Sequence, residues 1–295
     1  MHNDQLSEQH ASVPRATNKS SNLQYHDILA LATSAGPWST ALRVAVDIAS
    51  RWDANVTGCF VPATLRDYRA CETDPEAINL LTDVDYEYPD ESAAFRSFAK
   101  EQGTTHATWV TTHTAIAPTL QKLGAWHDLA VVERDLVEET RVFDILGEGL
   151  LCSHAPCIVL PPHWDDTVSF DRIVIGWNGS YESTRALHSA LPLLKLANKI
   201  VLVNGEVRPP YDNRRTVAEP DPIIYLMHHG IAAKPHYICV PPDEAGKVLL
   251  QKAHEIHAGL LVMGAYGHSR IRERVLGGAT RHVMAQADIP VFMRH

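Results

Sequence analysis

The sequence predicts an α/β protein with two tandem, doubly wound domains, each built on a five-stranded parallel sheet of Rossmann-like type. Short apolar runs alternate with amphipathic stretches along the chain. The order of these elements repeats after about 145 residues, as expected of a duplicated unit. The apolar runs carry few polar residues, which is typical of strands whose sheet is covered by helices on both faces.

The first copy of the unit begins at Asp27 with an apolar strand that runs to Ala32. A turn follows, and then an amphipathic helix is predicted over 39–52. A Pro- and Asp-rich stretch separates the second strand from the third. The remaining strands of this copy are predicted at 56–61, 108–110, 128–132 and 157–160.

The second copy begins at Asp171 and repeats the same order of strand, turn and helix, with the turn at 177–180 and the helix over 182–194. Its remaining strands are predicted at 199–203, 237–240, 259–263 and 290–293. We expect the closing strands of the two copies, 157–160 and 290–293, to lie at sheet edges and to pair with each other within the chain.

The predicted organisation has three parts, because a polar, proline-bearing linker around Trp164 separates the two copies. Residues 1–22 are a flexible polar leader. Residues 23–162 form the first domain and residues 168–295 the second. The oligomeric state stays open, and a homodimer is compatible with the sequence.

Composition narrows the function classes. The chain is 45% hydrophobic and 21% charged, as in ordinary globular proteins, and its net charge of -9 comes without a Lys/Arg-rich stripe. Nucleic acid and membrane surfaces are therefore not expected partners. No apolar segment has the length of a signal peptide core or a membrane span, so a cytoplasmic location is expected.

Cysteines and histidines give no strong metal signal. The five cysteines contain no C-x-x-C pair, so reduced thiols are expected rather than disulfides or structural zinc. His254 and His257 are the best metal candidates, since an i, i+3 pair shares one helical face. They lack a third ligand, and the presence of a metal stays unknown.

A glycine constellation follows the fourth strand of the second copy. Gly264 and Gly267 flank a short loop, and Gly277, Gly278 and Thr280 open the next helix. Glycine allows the backbone to approach a phosphate, and a helix N-terminus adds unpaired N–H groups and a positive dipole. The parts of an anion cradle are therefore present at the carboxyl edge of the predicted sheet.

This segment resembles the C-terminal signature of the universal stress protein family, G-x-x-G-x9-G followed by Ser or Thr. The strand and helix from Ile173 to Leu187 resemble the opening of the same family. The resemblance covers both copies from about residue 26, strongly in the second and in outline in the first. It implies a stress-response protein that binds an adenine nucleotide.

Carried over residue by residue, the resemblance places Gly264, Gly267 and Gly277 as backbone contacts and Thr280 as a hydroxyl near the phosphates. Two positions depart from the family pattern. Gly278 stands where binding members often have Ser, leaving only its N–H. A second departure is Asn178, which replaces the Asp that lies beside adenosine and so loses a charge while adding a donor.

The first copy lacks this machinery. Its fourth strand runs into Glu133 and then Leu136 at the positions of the two loop glycines, and a carboxylate there would repel a phosphate. Gly147 and Gly149 are the only remnants that the sequence suggests. The first domain is therefore predicted to be a structural partner, or a sensor of something other than a nucleotide.

Three function classes follow. The first is a regulatory or protective stress-response protein with ATP, ADP or AMP in the second domain and an unknown protein partner. The second is an interaction module that binds no nucleotide. The third is an ATP-using enzyme, for which the sequence offers no pyrophosphatase, nucleotidyltransferase or Walker motif and no Ser-His-Asp set. At most slow ATP hydrolysis is expected.

Overall fold

A computed structural model describes residues 23–34, 38–66, 90–205, 221–265 and 278–295. Strands and helices alternate along these ranges, as the apolar runs predict. The strands are β1 Asp27–Ala32, β2 Asn55–Phe60, β3 Ala107–Thr111, β4 Leu129–Glu133, β5 Cys157–Leu160, β6 Arg172–Trp177, β7 Lys199–Asn204, β8 Lys234–Tyr237, β9 Leu260–Gly264 and β10 Val291–Arg294.

The helices pack on both faces of the strands. They are α1 Thr40–Ser50, α2 Ala63–Arg66, α3 Ser92–Glu101, α4 Ile116–Gly124, α5 Gly147–Cys152, α6 Tyr181–Ser189, α7 Leu191–Leu194, α8 Pro222–His228, α9 Ala245–Ile256 and α10 Gly278–Gln286. Two single 3₁₀ turns and a π turn at Val142–Leu146 lead into α5. None of the helices within the described ranges is long and apolar enough to cross a membrane.

All ten strands belong to one open sheet in the order β3-β2-β1-β4-β5-β10-β9-β6-β7-β8. Neighbours within each half are parallel, and each half has the same internal order, so the predicted doubly wound fold is confirmed. The halves meet where β5 and β10 pair antiparallel, with Ile158 opposite Phe292. The prediction that the two closing strands pair with each other is therefore confirmed.

The core lies in two layers, one on each face of the sheet, and both layers extend through both halves. Alternate residues of a strand face opposite layers: Ile28 and Ala30 pack in one, Leu29 and Leu31 in the other. Because side chains on both faces are buried, the central strands such as β1 and β4 are almost wholly apolar. This burial explains why the sequence shows unbroken apolar runs rather than alternation.

Helix α1 shows how the pattern specifies the local structure. Its buried residues include Leu42, Ala45, Val46 and Ala49, which fall at helical spacing on the face toward the sheet. Ser39 precedes the helix in an extended conformation, as an N-cap residue does. α1 therefore begins at the carboxyl edge of the sheet, beyond the end of β1.

Two element predictions were wrong. The third strand of the second half lies at Lys234–Tyr237 and not at 237–240. It is a largely exposed edge strand containing Pro235, so burial does not select apolar residues there. The helix predicted over 182–194 is broken at Ala190, because Pro192 lacks the N–H that a continuous helix would use.

Polar contacts also join the halves. The Tyr25 hydroxyl donates to the Ser189 carbonyl at 2.7 Å. The Arg134 guanidinium donates to the carbonyls of Met284 and Ala287, at 2.7 and 3.1 Å, at the C-terminal end of α10. A cation near helix carbonyls is favourable, so these contacts reinforce the pairing of β5 with β10.

Candidate functional site

A cavity of about 180 Å³ lies at the carboxyl edge of the second half of the sheet. The ends of β6, β7 and β9 form its floor, and the first turns of α6, α9 and α10 surround it. This is the crevice in which doubly wound folds bind ligands. The described residues that line it are Gly176, Trp177, Asn178, Ser180, Ser183, Val203, Gly205, Ile238, Val240, Pro242, Ala245, Leu249, Met263, Gly264, Gly278, Ala279 and Thr280.

The turn between β6 and α6 is held by its own side chains. The Asn178 side-chain oxygen accepts a hydrogen bond from the Ser180 N–H at 3.2 Å. The Ser180 hydroxyl caps α6 by accepting from the Ser183 N–H at 3.1 Å. Because the Asn178 oxygen is used in the turn, its side-chain NH₂ is the group left to face a ligand.

Gly264 lies at the end of β9, directly under α6. A Cβ atom there would come within 2.5 Å of the Ser183 nitrogen and 2.6 Å of the Glu182 carbonyl carbon. Both atoms belong to the helix backbone, so a side chain could not be accommodated without moving α6. Gly264 therefore brings the first turn of α6, with the hydroxyls of Ser180 and Ser183, to the edge of the cavity.

Helix α10 points its N-terminus at the same cavity. Gly278 and Thr280 lie in its first turn, and Thr280 is buried. A Cβ atom on Gly278 would come within 2.7 Å of the Asp243 Cα. The Ser that binding members of the family often carry would not fit here, because the backbone before α9 is too close.

The remaining walls are apolar. Val203, Gly205, Ile238 and Leu249 form one side of the cavity, and the described lining contains no charged side chain. Hydroxyls, a side-chain amide and backbone N–H groups are the polar groups it presents. This combination suits a ligand with a flat apolar part and a polar or anionic end.

Four of the six predicted site residues therefore line one cavity, namely Asn178, Gly264, Gly278 and Thr280. Gly267 and Gly277 lie outside the described residues. Sequence reasoning missed Gly176, Gly205 and Ser183. The first two lie at or just after apolar strands, and comparison of the two copies position by position would have found them.

The first half is filled at the equivalent positions. The Gly205 N–H donates to the Trp177 carbonyl as the Val61 N–H donates to the Ala32 carbonyl, so Gly205 and Val61 correspond. The strand registers pair Gly176 with Leu31 in the same way, and the ends of β9 and β4 pair Gly264 with Glu133.

Leu31, Val61 and Glu133 are all buried. The side chains of Leu31 and Val61 therefore occupy the space that Gly176 and Gly205 leave beside the cavity of the second half, whereas Gly264 is covered by the backbone of α6.

Gly147 and Gly149 are not remnants of a ligand turn. Both lie within α5, and a Cβ on Gly149 would come within 2.9 Å of the Leu120 side chain on α4. Their role is close packing of two helices. The π turn at Val142–Leu146 precedes α5, so the two glycines lie inside the helical segment and not in a turn before it.

The histidine pair does not share a helix face. α9 ends at Ile256, and His257 follows in the left-handed conformation with φ of 52°. The His254 Nε2 atom lies 2.8 Å from a carboxylate oxygen of Asp288. Among the described residues, no group of three His, Cys, Asp or Glu side chains is arranged to hold a metal ion.

Residues 169–295 match the model of the universal stress protein family. Residues 169–295 are thus a universal stress protein domain. A universal stress protein from Archaeoglobus fulgidus DSM 4304 matches the structure with a TM-score of 0.61 at 18% identity, covering 90% of this chain and 95% of that chain.

A protein from Pseudomonas aeruginosa UCBPP-PA14, assigned to the same family, matches with a TM-score of 0.59 at 12% identity, covering 92% and 93%. A functionally unknown protein from Pseudomonas aeruginosa PAO1 matches with a TM-score of 0.57 at 11% identity, covering 92% of each chain. No curated protein sequence matches the chain. At these identities the structures show the fold alone, and they extend the universal stress protein fold over both halves.

Proposed function

We propose that the second half binds one adenine nucleotide, ATP or its di- or monophosphate, and that the protein acts as a regulatory or protective stress-response protein. The observation that carries this proposal is one cavity lined by Asn178, Gly264, Gly278 and Thr280. These residues come from separate elements and are the ones that the family motif selects. Gly267 and Gly277 complete the proposed site from the sequence.

The chemistry of the cavity supports such a ligand. Its apolar wall at Val203 and Ile238 offers a surface for the flat base. The N-terminus of α10 lies at the cavity, where its first-turn N–H groups and positive dipole end favour phosphates. The NH₂ of Asn178 would contact the ribose, while the hydroxyls of Ser180 and Ser183 are bonded to each other within the first turn of α6.

One site per chain is proposed, with the first half as a structural partner. Leu31 and Val61 fill the equivalent space of the first half, and the Glu133 carboxyl group lies at the N-terminus of its first helix. The domain limits 23–162 and 168–295 and a cytoplasmic location remain part of this proposal. A metal ion is not required by it, and the protein partner stays undefined.

One observation favours the alternative, an interaction module without nucleotide. Asp243 lies against Gly278, so an acidic residue stands beside the N-terminus of α10. A carboxylate near this position would weaken the attraction of the helix for phosphate. The two functions differ in whether the purified protein binds ATP.

Titration calorimetry with ATP on Gly205→Val separates the two functions. A Cβ on Gly205 meets only the Ile238 side chain, at 3.7 Å, so valine is accommodated while its methyl groups fill the cavity as Val61 does in the first half. We expect one site on the parent protein and affinity about 10- to 100-fold lower in the variant, the range that overpacking gives.

Gly205→Ala is the matched control, because one methyl group makes an ordinary contact there. It should keep most of the affinity. Equal binding by Gly205→Val and the parent would place the ligand elsewhere. Two sites per chain would refute the asymmetry, and no heat at millimolar ATP would favour the interaction module.

A further inference from the structure

Glu133 in the first half directs its carboxyl group at the N-terminus of α1. One carboxyl oxygen accepts a hydrogen bond from the Ala41 N–H at 2.7 Å, and the other accepts from the Thr33 hydroxyl at 3.1 Å. Glu133 is 8% exposed. A buried carboxyl group therefore meets the unpaired N–H groups and positive dipole end of an 11-residue helix.

The N-cap residue of α1, Ser39, does not cap the helix with its own side chain. The Ser39 side chain makes no capping hydrogen bond. Its Oγ atom is buried and has no hydrogen-bond partner of ordinary length among the described residues. Burial raises the pKa of the Glu133 carboxyl group, and the nearby Ser39 hydroxyl is the smallest of the groups that oppose this rise. A second buried hydroxyl therefore lies close to the Glu133 carboxyl group.

Two donors thus bond the Glu133 carboxyl group, the Ala41 N–H and the Thr33 hydroxyl, and the buried, unsatisfied Ser39 hydroxyl lies beside them. Such a set recognises an oxyanion. The equivalent position in the second half is Gly264, beside the open cavity. The side chain of Glu133 reaches from the strand end into the space between strand and helix.

We propose that the first half contains an oxyanion site at the N-terminus of α1 and that the Glu133 carboxyl group is its built-in ligand. The ligand class of the site is a small carboxylate. The contact closes the first half against external ligands and anchors α1 to the end of β4. Removal of the side chain leaves a site that a free carboxylate of similar size fills.

The proposal goes beyond nucleotide binding and does not depend on it. It rests on Glu133, Ala41, Thr33 and Ser39, which all belong to the first half. A failure of ATP binding in the second half would leave it unchanged. Only measurements on Glu133 variants bear on it.

Chemical rescue tests the proposal. Glu133→Ala should lower the melting temperature of the full chain by about 3–6 °C, because α1 loses its acceptor. Sodium formate should then recover part of this loss, compared with sodium chloride at equal ionic strength. The parent protein and Glu139→Ala, a change at an exposed residue of the same half, should show no difference between the two salts.

Formate acting equally on the parent and on Glu133→Ala would overturn the proposal, as would a melting temperature of Glu133→Ala equal to that of Glu139→Ala. If Glu133→Ala does not fold, Glu133→Gln gives the answer. Its amide oxygen can accept from Ala41, and its NH₂ can donate to Thr33, so the melting temperature should stay near the parent value. A Glu133→Gln protein as unstable as an unfolded Glu133→Ala protein would contradict a site defined by these donors.

Discussion

The two halves share one fold and one strand order, yet they differ in the residue at the end of the fourth strand and in how the next helix packs on it. In the second half Gly264 has no side chain, and the backbone of α6 packs directly on it. In the first half Glu133 extends its side chain to the N-terminus of α1. Both solutions supply an acceptor to the first turn of the helix, from Ser180 in one half and from Glu133 in the other.

An open ligand crevice in this fold depends on glycines at the strand ends, where a larger residue would fill the space. Gly176 and Gly205 leave the crevice of the second half open, while Leu31 and Val61 fill the equivalent space in the first half. The strand frame needs no change for this, because the registers of β1 with β2 and of β6 with β7 are equivalent. One ancestral arrangement can therefore serve as a binding domain or as a closed structural domain.

The strongest test of the comparison is Gly264→Ala. The new Cβ would come within 2.5 Å of the Ser183 nitrogen, so α6 must move away from β9. We expect a loss of about 2–3 kcal/mol in the free energy of unfolding, as overpacking against backbone gives. Urea titration of the full chain followed by circular dichroism measures it.

Gly205→Ala is the control for Gly264→Ala, because its Cβ makes only an ordinary contact with the Ile238 side chain. It should change the free energy of unfolding by less than about 1 kcal/mol. Equal stabilities of the two variants would show that α6 does not need the glycine at the end of β9.

The N-cap residues of α6 and α1 should differ less strongly in their effect on stability. Ser180→Ala removes the acceptor of the Ser183 N–H and should reduce the free energy of unfolding by about 1 kcal/mol. Ser39→Ala should be neutral or stabilising, since the Ser39 hydroxyl is buried without an ordinary hydrogen bond. Thermal denaturation of both variants measures the difference. A larger loss from Ser39→Ala than from Ser180→Ala would contradict the assignment of Glu133 as the acceptor of α1.

The smallest expected effect is a pH dependence from Glu133. Burial raises the pKa of its carboxyl group above the ordinary 4.5, aided by the Asp135 charge, and outweighs the hydrogen bond from Ala41. The folded state therefore holds the proton more tightly than the unfolded state. The corresponding stability is present below pH 4.5 and is lost as the pH rises through the folded pKa.

Glu133→Gln removes this titration. The free energy of unfolding of the parent, minus that of the variant, should fall as the pH rises from about 4 into the neutral range. Parallel urea titrations at several pH values measure the difference. A difference that rises with pH would mean that the donors at α1 lower the pKa of Glu133 below 4.5.

Much of the fold could be predicted from the sequence because most of the strands are buried on both faces of the sheet. Leu129 and its neighbours in β4 are apolar without interruption, and such runs mark buried strands wherever they occur. β8 was misplaced for the same reason: it is an exposed edge strand, so its residues carry no burial signal. The break before Pro192 is a local backbone effect that sequence could have predicted.

The candidate site was only partly predictable. The glycine motif identified Gly264 and Gly278 because their spacing is a local property of the chain. Ser183 and Ile238 were missed because they meet the glycines only when α6 and the end of β8 are placed around the same crevice. A side chain that contributes by proximity leaves no spacing signal of its own.

The sequence by itself determined the repeated unit, the succession of strands and helices along each half and the position of the glycine motif, because these follow from burial and local backbone geometry. Only the tertiary structure showed that Glu133 caps α1 and that Gly264 admits the backbone of α6. Both contacts join groups far apart in the chain, Glu133 to Ala41 and Gly264 to Ser183. Whether a helix N-terminus meets a strand end, a side chain or an open cavity depends on packing in three dimensions.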